Sequence, residues 1–199
     1  LLCNSNSKLS QFKLSKEELN YIKKEQKKNK EIIPINQYQR HIFIVSPKKE
    51  SNKNKHAENC RMLGDNLAGK LKDKSATLIV DIKNNQLEVM QITEGIALSS
   101  YTFTKHKTEP KPNTLQTIYL CKNAKQSAIA ELQNIINAVY FTRDLINEPF
   151  SHLTAKDLAK RAVKSGLKNH FKTTVLNKKK IESLKMGGFL AVNKGSIDE

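Results

Sequence analysis

Apolar positions along this chain occur in two kinds of block, and the spacing inside each predicts its backbone. RHIFIVSP (40–47) is a short apolar run closed by Pro47, which reads as a strand. ATLIVDI (76–82) is unbroken, as expected of a strand buried on both faces, and LQTIYLC (115–121) is a third strong strand. NNQLEVMQI (84–92) reads as a turn followed by another strand. FKTTVLN (171–177) and GGFLAVNKG (187–195) read as two more near the end.

The other blocks have helical spacing. In AENCRMLGDNLAGKL (57–71), Met62, Leu63, Leu67 and Leu71 recur at three to four residues, with Gly64 and Gly69 weakening the pattern. TEGIALSSYTFTKHK (93–107) places Ile96, Leu98, Tyr101 and Phe103 in an amphipathic stretch that Thr93 can cap. The longest pattern, 126–148, carries Ile129, Leu132, Ile135, Ile136, Val139, Tyr140 and Leu145, and Pro149 ends it. At about 1.5 Å per residue it spans roughly 30 Å, long enough to bridge two domains.

Polar punctuation supplies the remaining boundaries. Ser15 is placed to cap the charged helix that follows, with Glu17 and Glu18 in its first turn. Thr154 caps AKDLAKRAVKSG, with Asp157 three residues on and Gly166 as a stop. KKKIESLKM reads as a short helix. The order β-α-β beyond 150 points to a new parallel sheet beginning there. The fold class is therefore α/β, with a first domain over 1–123, a linker helix over 124–148 and the start of a second α/β domain over 149–199.

Composition changes this picture only a little. The 199 residues have a formal net charge of +16, which invites a nucleic-acid reading. Only four of the 35 basic residues are arginine, namely Arg40, Arg61, Arg143 and Arg161. Arginine's planar fork is the usual reader of phosphate and base edges, so the lysine excess points more to a solvated surface. No run of 18 apolar residues suggests a membrane helix. LLCNSNSK resembles the tail of a lipoprotein cleavage site but lacks the region that should precede Cys3. Cys3, Cys60 and Cys121 are odd in number and far apart, which argues against a disulfide framework or a structural zinc and for thiols in a reducing compartment.

Candidate chemistry is sparse. Asp144 and Glu148 are four apart on one helix and could form a two-carboxylate site, although a solvated pair is the plainer reading. Glu148 and His152 have metal-ligand spacing, but Pro149 breaks the helix between them. His41, His56, His106 and His170 are scattered. GxSxG, HExxH and GxxxxGK[ST] are all absent. Gly187 and Gly188 precede an apolar run, whereas a phosphate loop follows a strand and opens a helix, so they read as a tight turn needing φ > 0. No catalytic, metal or substrate-binding residue is assigned.

Three stretches together resemble the leucyl (cytosol) aminopeptidase family. TEGIALSSYTFTKHK is similar to that family's "EG…L.SY.F..YK", AVYFTRDLINEPFSHLTAKDLA to "ARDL.N.P.N.LTP..LA", and KIESLKMGGFLAVNKGSIDE to "L..MGG.LAV..GS..PP". They fall in the family's order over 93–199. Phe150 and His152 depart from it, in a loop. The resemblance implies a macro-like N-terminal domain with a mixed sheet flanked by helices. It also implies a homo-hexameric cytoplasmic parent that removes N-terminal residues from peptides with two divalent ions, Mn or Zn. Those ions would activate a water and polarise the peptide carbonyl. The family's metal motifs "GKG.TFD.GG" and "NTDAEGR" do not occur in these residues, so this span is expected to serve folding and assembly and to be inactive alone. The competing expectation is a stand-alone basic macro-like module binding nucleic acid or an ADP-ribose-type ligand. For that ligand, no glycine-rich loop follows 76–82.

Overall fold

The computed structural model describes residues 2–4, 9–71, 77–81, 86–110, 114–121 and 125–196. Its contacts divide the chain into a first unit, Leu1–Asp144, and a second, Leu145–Glu199. In chain order the elements are β1 (Leu2–Asn4), a 3-10 turn (Leu9–Phe12), α1 (Lys16–Lys27), β2 (Ile32–Asn36), β3 (His41–Val45), α2 (Lys53–Leu71), β4 (Thr77–Asp81), α3 (Gln86–Ser99), β5 (Thr117–Cys121) and α4 (Gln126–Asn147), followed by α5 (Ala155–Asn169), α6 (Lys178–Ser183) and α7 (Gly187–Asn193).

The first unit is built on a mixed five-stranded sheet in the order β2-β3-β1-β4-β5. β2 runs antiparallel to β3, and β3, β1, β4 and β5 are mutually parallel. β3 reads as a continuous apolar run because helices cover both of its faces. Phe43 and Val45 join Cys60, Leu63, Leu67 and Leu71 of α2 and Val89, Ile92 and Ile96 of α3 in one core. Ile42 and Ile44 face the other way, against Ile33, Ile35, Phe12 and Ile22 of α1. The strand alternation thus separates two cores across one sheet. The expected two-sided burial of 76–82 and the thiols of Cys3 and Cys121 lie outside the described side chains.

α1 begins where the sequence places it. Ser15 Oγ accepts from the Glu18 amide at 3.2 Å, and the Glu18 carboxylate accepts from the Ser15 amide at 2.7 Å. Together these satisfy two donors that the first turn leaves over. At the other end, the buried Glu25 carboxylate is flanked by the ammonium groups of Lys28 and Lys30.

β2 is an element the apolar pattern did not suggest, because Pro34 interrupts IIPIN. Proline is compatible with the outermost strand of a sheet, where one row of amides needs no partner. A second difference concerns 84–107. Residues from Gln86 form a helix, not a strand, and α3 ends at Ser99. Val89, Ile92, Thr93 and Ile96 are its buried stripe at helical spacing. Thr93 is accordingly no cap: it is buried mid-helix, and its hydroxyl donates to the Val89 carbonyl at 2.7 Å.

α2 and α3 cross at a glycine contact. A Cβ on Gly64 would meet the Ile92 carbonyl oxygen at 2.2 Å, and one on Gly95 would meet the Arg61 carbonyl oxygen at 2.1 Å. Gly64 and Gly95 are therefore the residues that let the helices touch backbone to backbone. Arg61 Nε donating to Glu94 at 2.9 Å and Ser99 Oγ donating to Asp65 at 2.6 Å fix the crossing on its flanks.

The regular elements among the second unit's described residues are all helices. Thr154 and Asp157 form the expected capping box on α5. Gly166 does not stop that helix, which runs to Asn169 and closes with His170 in the left-handed region at φ 59°. Gly166 is instead buried where the returning chain passes, with the Phe171 carbonyl oxygen 2.7 Å from where a Cβ would sit. The strands expected at 171–177 and 187–195 are not formed: the first is irregular and the second is α7. A strand needs a neighbour for its amides and carbonyls, and the described residues of this unit offer none, so α7 satisfies them internally. Gly187 and Gly188 have negative φ and open space around them, so they make no left-handed turn.

Candidate functional site

The sequence candidates can be placed one by one. Asp144 lies in the last turns of α4, where its Oδ1 accepts from the Tyr101 hydroxyl at 2.8 Å. The Arg143 guanidinium lies 5.5 Å from the centre of the Tyr101 ring and donates to the Leu98 carbonyl. The Tyr140 hydroxyl donates to the Ala97 carbonyl. These three side chains dock α4 onto the chain leaving α3, which is a structural task. Glu148 is buried with its carboxylate 4.0 Å from Arg161 of α5. Asp144 and Glu148 thus each face a different partner. His152 is exposed, in the turn made by Pro149, whose carbonyl accepts its amide at 2.8 Å.

One cluster escaped the sequence reading. His56 and Cys60 are four apart on α2, and Glu88 comes from α3. His56 Nε2 lies 2.8 Å from Glu88 Oε1 and 4.0 Å from Cys60 Sγ, and Nδ1 lies 3.0 Å from the Lys48 carbonyl oxygen. The only local signal was the i, i+4 spacing of His56 and Cys60; Glu88 is 32 residues from His56. The trio resembles a nucleophile, a base and an orienting carboxylate, but its electrostatics are wrong for that work. Cys60 is fully buried, and burial, reinforced by the Glu88 charge, pushes its thiol up to about 11. A nucleophilic cysteine needs the opposite shift. Both ring nitrogens of His56 already have partners, Nδ1 the Lys48 carbonyl oxygen and Nε2 the Glu88 carboxylate. The cluster ties the loop after β3 to α2 and α3.

The concave surfaces among the described residues include one of about 620 Å³ lined by Lys13, Ser15, Glu18, Gln37, Gln39 and Arg40, and two further grooves. In the first unit a groove of about 550 Å³ lies among α3, β5 and α4, lined by Thr93, Ser100, Ile118, Leu132, Ile136 and Tyr140. Its lining includes no carboxylate, imidazole or thiol among the described residues, and the hydroxyls of Thr93, Ser100 and Tyr140 donate to the Val89, Ile96 and Ala97 carbonyls. In the second unit a groove of about 790 Å³ has an apolar floor and a lysine rim. Within each unit, no three His, Cys, Asp or Glu side chains among the described residues converge to ligand distance.

Comparison with known proteins gives these observations a context. Residues 140–199 match the catalytic domain of the cytosol aminopeptidase family. A probable cytosol aminopeptidase of Chloroherpeton thalassium is 36% identical over 169 residues, covering 69% of this chain and 33% of the relative. One from Clostridium perfringens is 34% identical over 144 residues, covering 64% and 28%. The chain therefore spans about a third of the length of the curated relatives it matches. Among solved structures, a tomato leucine aminopeptidase mutant superposes with a TM-score of 0.77 at 19% identity, over 99% of this chain and 45% of that one. A bottromycin maturation enzyme in complex with Mn superposes at 0.69 and 16% identity, over 98% and 42%. Both share the α/β fold of this chain.

Proposed function

Since the chain belongs to the cytosol aminopeptidase family, we propose that it is the N-terminal part of a metal-dependent leucyl aminopeptidase, a hydrolase that removes N-terminal residues from peptides. The proposed division is a macro-like domain over 1–123, a linker helix over 124–148 and the opening of the catalytic domain over 149–199. The observation that carries the reading is the catalytic-domain match over 140–199, directly behind an α/β unit of leucine-aminopeptidase fold. A stand-alone binding module would have no use for such a segment, so that alternative is not favoured.

The role of this span is folding and assembly. The two divalent ions, Mn or Zn, are held by ligands outside it. The partners proposed are peptide substrates and other copies of the chain, as a homo-hexamer in the cytoplasm. No helix among the described residues is long and apolar enough to cross a membrane.

The test is turnover of leucine-p-nitroanilide by the purified 199-residue chain, with manganese or zinc added. No release of p-nitroaniline above the metal-only blank is expected. Sustained, metal-dependent turnover would place the ligands within these residues and overturn the reading.

A further inference from the structure

A single imidazole joins three parts of the first unit. Asn52 Oδ1 accepts from the Asn54 and Lys55 amides at 2.9 and 3.1 Å, which starts α2 and turns His56 back toward the loop after β3. There His56 Nδ1 lies 3.0 Å from the Lys48 carbonyl oxygen, and Nε2 lies 2.8 Å from Glu88 Oε1 in the first turn of α3. Both side chains are largely sheltered, His56 at 19% exposure and Glu88 at 16%. Glu31, just before β2, holds the same loop from another side. Its carbonyl accepts from the Ser46 amide at 2.9 Å and its carboxylate from the Lys48 amide at 3.0 Å.

Hydrogen-bonding capacity fixes the state of this ring. A backbone carbonyl only accepts, so Nδ1 carries a hydrogen. A neutral imidazole has only that one, and its Nε2 then presents a lone pair. An ionised carboxylate presents only lone pairs as well. The 2.8 Å contact therefore needs one further proton between Nε2 and Oε1. Glu88 stands in the first turn of α3, where the helix dipole favours its charged form. That places the proton on Nε2, and the ring donates on both sides.

The neighbouring charges leave that proton to the pair. On α2, Cys60 Sγ is 4.0 Å from Nε2, and burial pushes its thiol up to about 11, so it stays neutral beside the ring. Arg61 is taken up by Glu94 and Glu58, and Glu50 accepts from Asn59. Glu31 adds a second carboxylate on the β2 side. Lys48 and Lys49 in the loop, and Lys53 and Lys55 in the first turn of α2, are exposed cations that oppose it. We infer that the proton between His56 and Glu88 is a latch, which holds the loop after β3 against α2 and α3 while bound and frees the loop when lost at alkaline pH. Without it, two sets of lone pairs would face each other in a sheltered site. Histidine's ordinary value of about 6.5 marks the lower end of the window. The latch is complete below that value and opens as pH rises above it.

Hydrogen exchange of the whole 199-residue chain at about pH 6 and about pH 9 tests the latch, with rates corrected for the intrinsic effect of pH on exchange. The reporters are the Ser46 and Lys48 amides, both bonded to Glu31 in the latched loop. Their protection should fall about tenfold or more from the lower pH to the higher, the worth of one hydrogen bond to a charged group. Glu88→Gln removes the need for the proton, since a side-chain amide can donate to Nε2 of a neutral imidazole. Protection in that variant should be the same at both pH values. Glu88→Ala removes the partner, and protection should be low at both. Nitrogen NMR of His56 in the unaltered chain is a second reading that needs no variant. The ring should lose its Nε2 hydrogen over the same pH range in which the loop loses protection. Equal protection at both pH values in the unaltered chain overturns the latch. So does a Glu88→Gln loop as pH-sensitive as the original, or a loop that opens out of step with the change at Nε2.

Discussion

Gly64→Ala is the most informative single change in the first unit. The added methyl would stand 2.2 Å from the Ile92 carbonyl oxygen and 2.9 Å from the Ile96 nitrogen. Ordinary contact begins near 3.4 Å, so α2 and α3 must separate by about 1.2 Å at their crossing. Both obstructing atoms are helix backbone and cannot rotate away. Overpacking typically costs about 1–3 kcal/mol, and rigid neighbours put this site at the upper end. Alanine's better helix propensity returns up to about 1 kcal/mol. The net loss is about 2 kcal/mol, or a fall in melting temperature of roughly 4–8 °C for a domain of this size. Gly69→Ala is the internal control. It lies on the same helix with nothing within 4 Å of its Cβ position, so only the propensity gain applies and its melting temperature should hold or rise. Thermal unfolding by circular dichroism at 222 nm reads both. A Gly64→Ala protein that melts as high as Gly69→Ala would refute the backbone contact.

Cys60, studied in a chain with Cys3 and Cys121 changed to serine, should resist iodoacetamide at pH 8 and react only on unfolding; mass spectrometry of the native protein showing rapid alkylation would contradict the sealed thiol. Glu25 has its carboxyl lowered to about 2 by hydrogen bonds from Lys28 and Lys30. Its contribution is complete above the unfolded value near 4.5 and fades as pH falls through about 2, so Glu25→Gln should flatten the melting temperature profile between those limits. Thr154→Ala removes the hydroxyl that accepts from the Asp157 amide and should cost about 1 kcal/mol of α5 stability, seen as faster amide exchange in its first turn.

The parts of the fold legible from the residues were those in which a local rule and the tertiary need agree. Ser15 and Thr154 are caps in both sequence and structure, Pro149 lies beyond the end of α4, and the apolar run at 41–45 is a strand because helices bury both its faces. Errors arose where tertiary partners decided. Val89, Met90 and Ile92 suggested a strand by composition, yet their neighbours across the crossing with α2 demand the helical stripe. GGFLAVN has strand-like residues, but the described residues of its unit include no strand to pair with. Gly166 looked like a terminator and is a close-packing point, a distinction that depends on Phe171 returning over it. The His56, Cys60 and Glu88 cluster was invisible because one member comes from another helix. The absence of a catalytic assignment followed from the missing metal motifs.

The outermost strand has a consequence for how the protein behaves in a crowded cell. An unprotected sheet margin is a template on which further chains can polymerise. On β2 the central residue of IIPIN is Pro34, which has no amide hydrogen to offer. An incoming strand along that margin would find a gap halfway along a run of only five residues. The same residue that hid β2 in the sequence thereby makes that side of the sheet a poor seed for fibrous growth, and copies of the protein that meet there should separate again.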